Sequence, residues 1–194
     1  MTERHDASRA AAFLDRDGVL TVERGYITDP SDLELEAGVA EAVAELNRAG
    51  VLAVVVSNQS GVARGLMNED DLAVVHDRLV DLLSRGGARL DGAYYAPNLS
   101  DAERPGLGRD VSWRKPSTGM IEAAVADLGI DLARSAVFGD QTTDMELAQR
   151  LGVPGILIRT GKGRVTESSA AGVFAHVADD LGAAIRWFLK GLDD

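Results

Sequence analysis

The chain has 194 residues, a formal net charge of -11, 45% hydrophobic residues and no Cys. That length suits one domain with a sizeable core. The acidic balance excludes a general binder of nucleic acid or anionic membrane, and the missing Cys excludes disulfides and thiolate metal sites.

In chain order, Met1 to Arg9 is polar and lacks the apolar core of a signal peptide, and no later stretch is long and apolar enough to span a membrane. With no Cys, this predicts a cytoplasmic protein. Ala10 to Leu14 reads as a strand, followed by a Gly- and Asp-punctuated segment, Thr21 to Gly38. Val39 to Ala49 has helical spacing (Val39, Val43, Leu46) and stops at Gly50. Val51 to Val56 is a β-branched run suited to a central parallel strand. Asn68 caps a helix that runs to about Ser84, with Leu72, Val75, Leu79 and Leu82 or Leu83 on one stripe. Gly92 to Ala96 is a strand, and Pro97 to Pro116 a long aperiodic loop of the kind that is usually functional. Ser117 to Leu128 is helical and Ser135 to Phe138 a strand. Thr143 to Leu151 is a helix with Met145 and Ala148 inward, and Gly155 to Ile158 is the last clear strand. Val177 to Leu192 closes the chain as an amphipathic helix. This alternation predicts an α/β fold, a doubly wound, mostly parallel sheet with helices on both faces, as a single domain over 1–194.

Chemistry collects at the strand tips. The first strand ends in Asp15-Arg16-Asp17-Gly18-Val19-Leu20, two carboxylates that repel unless a cation neutralises them. Oxygen ligands of this kind suit Mg²⁺. The second long strand ends in Ser57-Asn58-Gln59-Ser60-Gly61-Val62-Ala63-Arg64-Gly65. A later one ends in Gly139-Asp140-Gln141-Thr142-Thr143-Asp144, and Trp113-Arg114-Lys115-Pro116 precedes a helix. Right-handed crossovers bring Asp15, Ser57 and Asp140 to one edge of the sheet.

These four segments together resemble the signature motifs of the haloacid dehalogenase superfamily of phosphatases. The first two are most similar to the branch that holds heptose-bisphosphate and histidinol-phosphate phosphatases. The resemblance runs from about Phe13 to Gly163, and the short spacings between motifs imply a capless member. It implies phosphomonoester hydrolysis with Asp15 as nucleophile, through an aspartyl-phosphate, and Asp17 as general acid and then base. Asp140 would complete a Mg²⁺ site with Asp15 and the Asp17 main-chain carbonyl. Ser57 and the Asn58 amide would hold phosphoryl oxygens, with Lys115 neutralising their charge. Asp144 either orients the site or is simply a helix N-terminal acid.

By position in the family pattern, Glu23, Arg24, Gly25 and Tyr26 lie on a flap beside the site. Gln59, Ser60, Arg64 and Arg114 join them as candidate substrate contacts, Arg64 reading equally well as a solvated loop residue. A bisphosphorylated sugar would use the Arg residues for its second anion, and the heptose 1,7-bisphosphate is the expected substrate. Histidinol phosphate is the alternative. Gln141 stands where that branch commonly has Lys. Most branch members fold the long loop around Zn²⁺ with Cys and His. Here the matching places hold Ala96-Pro97-Asn98 and Val111-Ser112-Trp113, so no zinc is expected, and the loop is expected either to be held by burial of Trp113 and Leu107 or to be mobile.

Other readings compete. A phosphoacceptor signalling domain also combines acids, a hydroxyl and a Lys on a doubly wound sheet, but its acceptor lies on a middle strand. A binding protein without turnover would not need all four motifs. A polynucleotide phosphate would call for a basic stripe. The Gly155–Gly163 segment departs from a nucleotide-binding loop in spacing and lacks the following Ser or Thr. His5, His76 and His176 fall in unrelated segments and read as structural or solvated. The expected partner is a small phosphate ester, and the expected state a monomer.

Overall fold

The computed structural model describes residues 8–97, 111–169 and 174–193. Its centre is a sheet whose middle strands are apolar on both sides. The strands are β1 (Ala11–Leu14), β2 (Leu52–Asn58), β3 (Gly92–Ala96), β4 (Ala136–Gly139), β5 (Gly155–Ile158) and β6 (His176–Ala178). They lie in the order β3-β2-β1-β4-β5-β6, and every pairing is parallel. A parallel strand covered on both faces needs a continuous hydrophobic run, and Leu52 through Val56 supplies one, each residue fully buried.

Strand side chains alternate between two cores. Ala12, Leu14, Ala53 and Val55 face one core, which includes residues of α1 (Val39–Arg48), α2 (Glu69–Arg85) and α6 (Leu181–Asp193). Ala11, Phe13, Leu52, Val54 and Val56 face the other, built with α3 (Gly119–Leu128) and α4 (Thr142–Leu151). Burying Val39, Val43 and Leu46 on one stripe is what holds α1, since a helix of this length is marginal alone. At the start of α2, Asn68 accepts a hydrogen bond from Asp71 N while the Asp71 carboxylate accepts one from Asn68 N, a reciprocal cap.

The strand order positions the site. From β1 the chain adds β2 and β3 on one side, then crosses to add β4, β5 and β6 on the other. At such a switch point the connections leave β1 and β4 in opposite directions and open a crevice beyond their C-terminal ends. Asp15 and Asp140 are the first residues past those ends. Between β1 and α1, the described chain forms isolated bridges (Asp17 with Thr21, Thr21 with Leu35) and a short 3-10 turn at Pro30–Asp32. No inserted cap interrupts this segment.

Two elements differ from the sequence expectation. A polar helix, α5 (Gly163–Ser169), follows β5, and His176 and Val177 belong to β6. The closing helix therefore starts at Leu181 rather than Val177. A three-residue strand that borders only β5 carries too little hydrophobic signal to be read, and its valine was absorbed into the neighbouring helix pattern.

Candidate active site

The crevice is a cavity of about 640 Å³, lined by Asp15, Asp17, Glu23, Gly25, Tyr26, Ser57, Asn58, Ser60, Arg114, Lys115, Gln141 and Lys162 among others. At its floor Asp15 is nearly buried, with its Oδ1 receiving Arg16 N at 2.7 Å and Lys115 Nζ at 3.1 Å. Lys115 comes from the turn before α3 and is itself buried. Its Nζ also donates to Asp144 Oδ1 at 2.6 Å. Burial alone would strip its proton, but the Asp144 and Asp15 carboxylates outweigh that and hold it charged.

Asn58 explains how Lys115 is aimed. Its side-chain Oδ1 accepts Lys115 N at 3.0 Å while its Nδ2 donates to Lys115 O at 3.1 Å. Asn58 borders the cavity and takes on a positioning role for the Lys115 backbone, while its Nδ2 keeps a second hydrogen for the expected contact to phosphoryl oxygens. Gln59 departs from the expected substrate contact. It is buried and does not line the cavity; its Nε2 donates to Asp17 Oδ2 at 2.8 Å and to Ser57 Oγ at 3.1 Å.

The acids on the β4 side sit in another environment. Asp140 is fully buried, and its Oδ2 accepts Lys162 N at 2.7 Å while its Oδ1 has no hydrogen-bond partner among the described residues. Burial first, and then the charge of Asp15, push its carboxyl from 3.8 up to about 8. Asp144 is also raised, by burial, with the Lys115 ammonium opposing. Carboxylate oxygens of Asp15, Asp140 and Asp144 all lie within 4.8 Å of one another. Three converging oxygen donors, one of them an orphaned buried atom, fit a hard divalent cation. Asp144 is thus more than a helix N-terminal acid: it caps Gln141 N at 3.1 Å and anchors the Lys115 ammonium.

The rim divides the candidate substrate contacts. Glu23, Gly25, Tyr26, Ser60 and Arg114 border the cavity. Arg24 does not; it pairs with Glu34 at 2.5 Å on the exposed flap. Arg64 stands behind the rim, its guanidinium carbon 5.8 Å from the centroid of the Tyr26 ring. Trp113 is half-buried, packs against the α3 side of the core and donates Nε1 to Tyr95 O at 2.9 Å, as its expected anchoring role requires. Asn98 and Leu107 lie outside the described residues.

Sequence reasoning missed Arg16, which is fully buried between the two acids, and the loop after β5. In that loop Thr160 Oγ1 donates to Gly18 O at 2.6 Å, and Lys162 lines the cavity with its Nζ 3.4 Å from Glu23 Oε2. The available signal was the strand-tip rule itself: Thr160-Gly161-Lys162 follows an apolar strand just as the other motifs do.

A family model described as HAD-hydrolase-like matches residues 112–184. Among curated proteins, the D-glycero-D-manno-heptose-1,7-bisphosphate 7-phosphatase of Thermosynechococcus vestitus is 47% identical, over 95% of this chain and 97% of its own length. The D-glycero-beta-D-manno-heptose-1,7-bisphosphate 7-phosphatase of Photorhabdus laumondii is 37% identical over 93% and 97%. The crystal structure of the D,D-heptose 1,7-bisphosphate phosphatase from B. bronchiseptica, complexed with magnesium and phosphate, superposes with a TM-score of 0.83 at 29% identity, over 94% of this chain and 99% of that one. Sequence, sheet order and the four assembled motifs agree: the chain belongs to the haloacid dehalogenase superfamily of phosphatases, in the branch that holds the heptose-bisphosphate phosphatases.

Proposed function

We propose that this protein is a Mg²⁺-dependent phosphatase that releases the 7-phosphate of D-glycero-D-manno-heptose 1,7-bisphosphate through an aspartyl-phosphate on Asp15. The observation that carries the reaction is the nucleophile's setting: a nearly buried carboxylate on a cavity floor, with one oxygen pinned by a backbone N–H and a buried ammonium. Such pinning fixes the attack direction, and Lys115 supplies positive charge where phosphoryl oxygens gather.

In the first step a new bond forms between the Asp15 carboxylate oxygen and phosphorus as the ester P–O bond breaks. Asp17 gives its proton to the departing sugar oxygen. In the second step Asp17 takes a proton from water as that water's oxygen bonds to phosphorus, and the Asp15–phosphorus bond breaks. Inorganic phosphate leaves and the carboxylate is restored. Ser57 Oγ borders the transferred group. Asp15, Asp140 and the Asp17 main-chain carbonyl would hold Mg²⁺, with Asp144 in the same cluster. The bound ion supplies Lewis-acid neutralisation of phosphoryl charge.

Relatives' names support the sugar bisphosphate, and so does the rim. Arg114 and Lys162 border the cavity beyond the reacting centre, where a second anionic group would meet them. Lys162 supplies a cation that Gln141 does not. Structural zinc is not expected in a chain without Cys. The acidic charge supports a small phosphate ester rather than nucleic acid as substrate, and we take the enzyme to be a cytoplasmic, single-domain monomer.

The test compares kcat/KM for the heptose bisphosphate, a heptose monophosphate and histidinol phosphate, using wild type, Arg114→Ala and Asp15→Asn. The bisphosphate should lead, Arg114→Ala should lower its kcat/KM on the order of 10-fold by weakening a charged contact worth roughly 1.5 kcal/mol, and Asp15→Asn should show no turnover. Equal values for all three substrates would refute the bisphosphate reading, and normal turnover by Asp15→Asn would refute the nucleophile.

A further inference from the structure

We propose that Arg16 is a positioning residue for proton transfer: together with Gln59 it fixes the Asp17 carboxylate in one orientation and ties it to Ser57. This rests on the reading of Asp17 as acid and base given above.

Arg16 is fully buried. Its backbone is set by the turn after β1, where Arg16 O accepts Leu20 N and Thr21 N, each at 2.9 Å. Its guanidinium then folds back onto its own neighbour. Nε donates to Asp17 Oδ1 and Nη2 to Asp17 Oδ2, each at 3.0 Å, the two-pronged contact for which a planar guanidinium is suited. Nη2 also donates to Gln59 Oε1 at 2.8 Å. Gln59 Nε2 in turn donates to Asp17 Oδ2 and to Ser57 Oγ, and Thr21 Oγ1 reaches Asp17 Oδ1 at 3.2 Å. Both oxygens of Asp17 are therefore gripped from two directions, and one amide joins the proton-transfer group to the hydroxyl beside the phosphoryl group.

Stability is a poor reason for this arrangement. Burying an Arg–Asp pair costs desolvation that the attraction barely offsets, and apolar replacements are often no worse. Here the cost is higher, because Arg16 Nη1 is buried with no hydrogen-bond partner among the described residues. A catalytic reason is available. The leaving sugar oxygen and the later attacking water occupy the same position opposite Asp15, so one fixed orientation of Asp17 serves both steps. Free rotation would scatter it, and a misplacement of about 1 Å can lower a rate on the order of 10²-fold.

The experiment separates positioning from scaffolding by leaving group. An alkyl phosphate such as the sugar ester needs a proton on its departing oxygen, whereas p-nitrophenolate departs without one. Arg16→Lys and Gln59→Met are each made in wild type and in Asp17→Asn, with melting curves to check folding. The expected result is a fall in the single-turnover rate of sugar release of roughly 10- to 10²-fold, little change in KM, and a near-normal single-turnover burst of p-nitrophenol, while later turnovers of both substrates slow together at the shared water step. In the Asp17→Asn background the same changes should cost nothing further. Equal losses in the single-turnover burst on both substrates, or full additive losses without the Asp17 carboxyl, would overturn the proposal. Gln59→Met, which removes no charge, carries the test should Arg16→Lys not fold. If Asp17→Asn slows the single-turnover burst of both leaving groups alike, it is the acid reading of Asp17 that fails, a result distinct from failure of the Arg16 clamp.

Discussion

Asp17 follows β1 and Asp140 follows β4, two adjacent strands, and the protein treats them in opposite ways. Asp17 follows a strand whose neighbours supply donors: Arg16, Gln59 and Thr21 satisfy both of its oxygens. Asp140 follows a strand of equal burial, yet its Oδ1 has no partner among the described residues and its acidic neighbours Asp15 and Asp144 add repulsion. One carboxylate is held by the protein's own hydrogen bonds. The other is left for an external charge. The contrast teaches that donor supply together with burial, rather than residue type, separates a proton-transfer acid from a cation ligand at one sheet edge.

The comparison is broken most severely by filling the space behind Asp140. Gly161 lies at φ +52°, and a Cβ there would overlap Asp140 Oδ2 and approach Gly18 Cα to 2.6 Å. Gly161→Ala should destabilise the protein by about 2–4 kcal/mol, combining left-handed strain with overpacking, and should remove activity with the displaced Asp140. Gly129 is the control: it has φ +63° but nothing within 4 Å of an added Cβ. Gly129→Ala should cost only about 1–2 kcal/mol and leave turnover intact. Denaturant melts and initial rates check both.

A smaller effect sharpens the same contrast through pH. Asp140 goes from 3.8 to about 8 on folding without metal, so the native state holds a proton that the unfolded chain has released. The stability from that proton is fully present below about pH 4 and is lost as pH rises through 8. A bound cation takes the proton's place, so the rise in Tm on adding Mg²⁺ should be larger at pH 8.5 than at pH 5. Calorimetry with Mg²⁺ and with a chelator measures it, and a larger rise at pH 5 would contradict the assignment.

Much of this architecture was legible in the chain, for identifiable reasons. Val54, Val55 and Val56 announce a strand covered on both faces, and Asn68 with Asp71 announces a helix start. Asp15, Ser57 and Asp140 could be placed because chemistry at a parallel strand tip has few other uses, and Lys115 because its segment before a helix resembles the family motif. The roles of Gln59 and Arg24 were misread, and that of Asn58 was read incompletely, for a common reason. An amide or guanidinium binds a ligand or a neighbour equally well, and only the loop path decides which. Arg24 met Glu34 on the flap, Asn58 met the Lys115 backbone, and Gln59 met Asp17. The short β6 and polar α5 escaped because neither has enough apolar periodicity, and with them went the loop that delivers Lys162.

The most direct measurement is a calorimetric Mg²⁺ titration of wild type, Asp17→Asn and Asp140→Asn, each stripped of metal. Because Asp17 is occupied by Arg16 and Gln59 and would offer only its main-chain carbonyl to the ion, Asp17→Asn should bind Mg²⁺ within a few-fold of wild type. Asp140→Asn should weaken binding on the order of 10²-fold or more, since even groups that merely support a ligand are worth 10- to 100-fold. Wild-type affinity in Asp140→Asn, or loss of binding confined to Asp17→Asn, would contradict the account.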